Sequence, residues 1–207
     1  FLLLLAIIAF FYASVGHGGA SGYLALMSLF AYPAATLKPT ALVLNIFVSG
    51  AAFFFFNKQK HFRWKLFYPF ALSSIPAAFI GGYLQVDPLL YKKILAALLL
   101  FAIARMLNLF GTKAVVKKQP SFWLLLVFGF FIGLMSGMIG IGGGIILSPI
   151  IILLGLGDMK QAAAVSSLFI LLNSTSGIIG YSIHGFEWQM ESFYLIGIAL
   201  FGGLLGA

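Results

Sequence analysis

Apolar residues fill the chain in long runs separated by short polar connectors. The runs cover about 1–15, 20–32, 39–56, 66–85, 89–110, 121–139, 145–156, 161–183 and 192–207. Crossing a bilayer takes roughly 20 apolar residues in a helix. Two runs, those beginning at 20 and 145, are too short to cross easily, and each follows a cluster of glycines. The pattern predicts an all-α polytopic membrane protein in which each short run is one limb of a glycine-broken helical hairpin. Lys38-Pro39, NKQKHFRWK at 57–65 and Asp87-Pro88 separate other runs. GTKAVVKKQP at 111–120 is the most polar connector and is expected to be a basic cytoplasmic linker between two halves. Residues 1–15 have the apolar character of a signal peptide but no basic n-region, and an internal counterpart makes them a span instead.

That counterpart comes from self-similarity. SVGHGGASG at 14–22 matches GMIGIGGGII at 137–146, with Gly16 on Gly140, Gly18 on Gly142 and Gly19 on Gly143. At the same spacing Phe62-Arg63-Trp64 falls on Phe186-Glu187-Trp188, and FIGGYL at 79–84 resembles LFGGLL at 200–205. Two homologous repeats are expected, 1–110 and 121–207, the second lacking its last helix, as in a piece of a longer protein. Lys58, Lys60, Arg63 and Lys65 surround the first FxW loop, whereas the second has Glu187 and Glu191 and no Lys or Arg. Basic loops stay cytoplasmic, so the two loops belong on opposite sides, as in an inverted repeat. Inversion leaves only Lys38, Lys92 and Lys93 outside. A model in which each glycine segment crosses once adds only Lys160 to them, so the charges lean towards inversion.

The composition agrees with a membrane protein. The chain is 62% hydrophobic and 8% charged, which leaves too few charged side chains to cover a soluble domain. Its net charge of +8 sits in short connectors between spans. It reads as loop charge rather than a nucleic-acid surface. There are no cysteines, which excludes disulfides and thiolate chemistry. Trp64, Trp123 and Trp188 fall at span ends, where an interfacial aromatic belt is expected. No acidic residue falls mid-span, and Arg105 is near enough to a run's end to snorkel. A metal pump or acid-lined cation path would need buried carboxylates. The histidines His17, His61 and His184 form no HExxH pattern or carboxylate pair. Neither an enzyme nor a cofactor is expected.

The glycine clusters remain as candidate chemistry. A glycine costs about 1 kcal/mol against alanine inside a helix, and irregular backbone at membrane depth must face protein or a watery cavity. One reading is two turns near the midplane whose short limbs offer free N–H groups and a positive dipole end to an anion. The other is close helix packing of the small-xxx-small kind, which suits Gly129, Gly133 and Gly137 best. Pro149 either bends the short limb or supports the turn. His17, in the first cluster, is a donor or proton carrier, or else satisfies loop carbonyls. Asn45, Ser166 and Ser167 lie on the spans after the hairpins, with Asn45 aligned near Ser167. They line a path or join helices by hydrogen bonds.

GMIGIGGGIILSPIIILLGLGDMKQAAAVSSLFILLNSTSG at 137–177 strongly resembles the glycine-rich motif of the sulfite exporter TauE/SafE family, and 16–45 resembles it more weakly, with Ala20 for the third glycine. The resemblance implies an inner-membrane permease for sulfite, sulfonates or related small organic anions, without a cofactor. The motif residues are Gly140, Gly142, Gly143, Gly144 and Pro149, with Gly16, Gly18 and Gly19 as partners and Ser166-Ser167 on the next helix. The function expected is a secondary transporter working by alternating access. Its partners are a small anion and the lipid bilayer, and it is coupled to a proton, with His17 as carrier, or to the membrane potential. The competing expectation is a non-transporting membrane protein, an intramembrane enzyme or assembly factor, that uses the glycines only for packing.

Overall fold

The computed structural model describes residues 1–14, 16–106, 120–185 and 190–206. The FxW loop at 186–188 and the basic segment 111–119 lie outside the described residues, so the loop-charge contrast is not tested. Among the described residues the chain forms helices and no strands. They are α1 (Leu2–Ser14), α2 (Ala20–Leu29), α3 (Ala34–Lys58), α4 (Trp64–Tyr83), α5 (Pro88–Met106), α6 (Phe122–Ile139), α7 (Gly144–Leu153), α8 (Met159–Ser182) and α9 (Met190–Gly206). Thr36–Lys58, Trp64–Tyr83, Phe122–Ile139 and Met159–Ser182 are long and apolar enough to cross a membrane.

The short runs are the returning limbs of hairpins. Phe1 at the base of α1 stacks on Tyr32, with ring centroids 5.3 Å apart, just past the end of α2. Further up, Tyr12 and Ser21 share a hydrogen bond of 2.8 Å. In the second hairpin Leu125 and Ile132 of α6 share one apolar core with Leu147 and Ile151 of α7. Both short helices have ten residues, starting at 20 and 144. The sequence spacing of the glycine clusters is therefore a spacing of whole elements.

One expectation about α3 needs correction. Lys38-Pro39 reads as a break in the sequence, but α3 starts earlier, at Ala34, and carries Pro39 inside it. Proline costs a helix one backbone bond and a bend; near the start of a 25-residue helix, the rest of the helix outweighs that loss. Lys38 is therefore no loop charge; only 7% of its surface is exposed. Other charges do cap helices. Asp158 forms a capping box with Gln161 at the start of α8, and Asp87 accepts from the Leu89 and Leu90 amides at the start of α5.

Packing crosses between the halves. α6 lies on α4 and α1 on α9; α8 lies on α4 and α3 on α9; α3 crosses α8. Exchanging α1 with α6, α3 with α8 and α4 with α9 turns each pairing into another one present. The pairs α4–α6 and α1–α9 are knit by glycine against backbone. Gly129, Gly133 and Gly137 press on the carbonyls of Phe70, Ser74 and Ala78, and Gly202 and Gly206 on those of Ala6 and Phe10. A Cβ at any of these positions would collide with main chain, so the packing reading applies to this stripe. α3 and α8 run antiparallel, with Lys38 over Tyr181, Leu42 beneath Gly177 and Leu171 beside Gly50. Their crossing brings the middle of both helices to the hairpin tips.

Candidate functional site

The two tips are built alike. Gly16 (φ 74°) and Gly19 (84°) in the first, and Gly140 (91°), Gly142 (73°) and Gly143 (81°) in the second, adopt left-handed backbone that other residues take only with strain. Gly140 closes α6, while Gly19 and Gly143 are the N-cap residues of α2 and α7. Neither short helix has a side-chain cap at its N-terminus. The leading amides of a helix have no i−4 acceptor and carry partial positive charge; in α7 the Ile146 amide is the one taken up, by the Gly143 carbonyl at 3.2 Å.

The tips converge on Asn45 of α3 and Ile170 of α8. A Cβ on Gly18 would stand 2.5 Å from Asn45 Oδ1 and 2.8 Å from Ile170; one on Gly142 would stand 2.6 Å from Ile170 and 2.8 Å from Asn45 Nδ2. Each tip therefore needs glycine for contact with both helices. Asn45 Nδ2 donates to the Gly140 carbonyl at 3.3 Å, tying α3 to the second tip. Asn45 Oδ1 and the Ser174 hydroxyl are buried without a hydrogen-bond partner. Such a group costs about 1–3 kcal/mol when left unpaired, and both of these stand at the same junction. A hydroxyl, an amide and two uncapped helix N-termini can hold a small desolvated anion without any fixed charge.

The structure brings together Gly16, Gly18, Gly19, Asn45, Gly140, Gly142, Gly143 and Gly144. Gly16 packs on Ala163, Gly140 on the Lys38 backbone and Gly144 on Ile170. Ser166 and Ser167 are placed otherwise. Ser166 shares a hydrogen bond of 2.7 Å with Ser148, joining α8 to α7, and Ser167 donates to the Ala164 carbonyl of its own helix. Pro149 is buried within α7, in the limb rather than the turn. His17 is half-buried and lines an apolar groove with Ile8, Phe11, Tyr12 and Ile145, to one side of the Asn45 junction.

The helix register explains what the sequence reading missed. Gly18 and Gly142 exchange Asn45 for Ile170, and Gly16 and Gly140 exchange Ala163 for Lys38. Asn45 is therefore equivalent to Ile170, three residues beyond the Ser167 expected from the sequence. The connector before α8 carries one residue more than its counterpart, not two fewer. With that register Ser174, the equivalent of Ser49, falls at the junction. Its place in the polar stretch Asn173–Ser176 was the one available signal.

The family model for the sulfite exporter TauE/SafE matches residues 1–207. A relative in Sinorhizobium fredii named "Probable membrane transporter protein y4hK" is 35% identical over 97% of this chain and 83% of its own length. Another in Bacillus subtilis, "Probable membrane transporter protein YunE", is 28% identical over 81% of this chain and 69% of its own length. No solved structure matches.

Proposed function

Because the chain belongs to the sulfite exporter TauE/SafE family, we propose that it carries a small oxyanion, such as sulfite or a sulfonate, across the inner membrane as a secondary transporter. The family and its relatives indicate a membrane transporter rather than an intramembrane enzyme or an assembly factor.

One observation carries the anion reading. Two uncapped helix N-termini meet at a junction where the Ser174 hydroxyl is buried without a partner and Asn45 Nδ2 gives one of its two hydrogens to the Gly140 carbonyl, so donors rather than charges face the site. Tyr23, Ser136 and Asn173 carry unpartnered buried oxygens as well; what supports a site at the junction is the convergence of both tips on Asn45 and Ile170. With no carboxylate or lysine side chain at the junction, the anion is held by dipoles and hydrogen bonds and is readily released. We place the two halves in inverted orientation. The antiparallel crossing of α3 and α8 and the exchange symmetry of the helix pairs support this. Alternating access then consists of the tips parting from the crossing towards one face or the other.

Drive comes from the membrane potential or from a proton carried on His17. His17→Ile separates the two: it ends acceleration by an imposed pH gradient in the second case alone. The transport reading itself is tested by sulfite and sulfonate flux into proteoliposomes. Saturable sulfite flux is expected from the wild type and close to none from Gly142→Leu. Equal flux from both would remove the tips from the pathway.

A further inference from the structure

Lys38 is the charged group that the junction itself does not use. It leaves α3 about one turn from the helix start, and its ammonium donates to the carbonyls of Gly81 (3.2 Å), Gly82 (2.8 Å) and Leu84 (3.3 Å), where α4 ends. The ammonium also lies 5.1 Å from the centre of the Tyr181 ring. From the turn just after α8, His184 reaches the same helix end, its Nε2 2.7 Å from the Tyr83 carbonyl while its ring stacks on Tyr83 at 4.6 Å. A carbonyl only accepts, so Nε2 carries the hydrogen. Four successive carbonyls at the negative end of α4 are thus covered by two basic side chains from two other helices.

Among the described residues, no carboxylate is in contact with the Lys38 ammonium. Carbonyl oxygens and a ring face solvate it in part, yet a buried cation without an anionic partner is costly. The ammonium also borders open space. A cavity of about 280 Å³ is lined by Lys38, Gln85, Tyr91, Met138, Tyr181 and His184. Its floor reaches the second tip: Met138 stands in the last turn of α6, the Tyr91 hydroxyl donates to the Ile139 carbonyl at 2.9 Å, and Gly140 packs on the Lys38 backbone. The equivalent of Lys38 in the other half is Ala163, so that position carries no cation.

We propose that this cavity is an anion-docking vestibule on one face of the protein, in which a small free oxyanion pairs with the Lys38 ammonium before it passes the second tip. The proposal deepens the transport reading and rests on it. The chemistry fits a small anion because the Lys38 ammonium brings a positive charge to the cavity wall, while the Tyr91 hydroxyl and His184 Nε2 hydrogens are already given to the Ile139 and Tyr83 carbonyls. Docking would give the ammonium an anionic contact that the described residues do not provide, and the alanine at 163 in place of a lysine makes capture from the two sides unequal.

Sulfite is the probe, with neutral phosphatidylcholine as the only lipid, so that no lipid phosphate carries a net charge able to pair with the lysine. In wild-type protein, amidination of Lys38 by methyl acetimidate, followed peptide by peptide, should slow at least about threefold in saturating sulfite, while exposed Lys92 is unaffected. In flux assays Lys38→Met should raise the half-saturating sulfite concentration about tenfold, the value of one lost charge-assisted contact, with the maximal rate changed less. Lys38→Arg should recover most of the affinity. A purely structural cap would instead lower thermal stability and leave half-saturation and protection unchanged, and that result would overturn the proposal. So would protection of Lys38 by added phosphatidylglycerol and not by sulfite, which would assign the site to a lipid headgroup. The labelling readout uses the unmodified protein and stands even if Lys38→Met fails to fold. A wild type with no sulfite flux would bring down the transport reading, whereas intact flux with unprotected Lys38 would bring down the vestibule alone.

Discussion

The two hairpin tips share a backbone and differ in chemistry. Gly16 and Gly19 repeat the left-handed turns of Gly140 and Gly143, and both short helices begin without a side-chain cap. Side chains around them diverge. His17 stands where the second tip has Ile141, and Ala20 where it has Gly144; Leu24 and Ala41 share an apolar core where Ser148 and Ser166 are hydrogen-bonded. Asn45 corresponds to Ile170 in the other half, and Lys38 to Ala163. The glycines therefore record what the fold requires at both tips, and the unequal positions record where the two tips differ in chemistry.

Replacing the tip glycines should break the comparison most severely. Gly142→Leu combines a left-handed backbone with collisions against Ile170 and Asn45. Flux should fall on the order of 100-fold, as misplaced binding groups commonly cause. Alanine separates the tips: Gly142→Ala adds a backbone penalty of about 1–2 kcal/mol that Gly18→Ala, with no positive φ, escapes. The difference should appear as a lower thermal midpoint for Gly142→Ala.

A smaller effect, about tenfold on flux, is expected from Asn45→Ala, which removes the bond to Gly140 and the unpartnered oxygen together. The exchange Asn45→Ile with Ile170→Asn moves the amide to the other helix and should restore part of the activity if the crossing is functionally two-fold. No restoration would show that the two tips are unequal at the junction too. Ser174→Ala removes a hydroxyl that bonds to nothing. Stability should stay within about 0.5 kcal/mol while sulfite affinity drops, and a loss of stability without loss of affinity would make Ser174 a packing residue. Smallest of all, Ser148→Leu with Ser166→Ala copies the first half into the second. The lost interhelical bond is worth about 0.6–2 kcal/mol in a membrane, and flux should remain within about twofold of wild type.

Much of this architecture is legible in the sequence, and the limits have a physical cause. Glycine and proline report backbone conformation directly, so the broken hairpins and the pairing of Gly16 with Gly140 could be read from spacing alone. The stripe Gly129, Gly133 and Gly137 likewise reads as packing because only a missing Cβ lets helix backbones touch. Register between α3 and α8 is different. A shift of three residues moves Asn45 from Ser167 to Ile170 without changing the hydrophobic pattern, because nearly every position there is apolar or small. Ser174 was hidden by that shift. Lys38 was hidden by an assumption, since a lysine beside a proline looks like a loop until the helix is seen to start before both.

The glycine seams between α4 and α6 and between α9 and α1 have a consequence for synthesis. Each seam joins an element of one half to an element of the other. While the ribosome has made only the first half, the face of α4 that will receive α6 has no protein partner and must wait in lipid or beneath an insertion factor. Neither half is a self-sufficient folding unit, and separately expressed halves should be degraded alone yet rescue each other when made together. On the two-repeat reading proposed above, the chain behaves as an intramolecular dimer whose two partners always arrive in equal number.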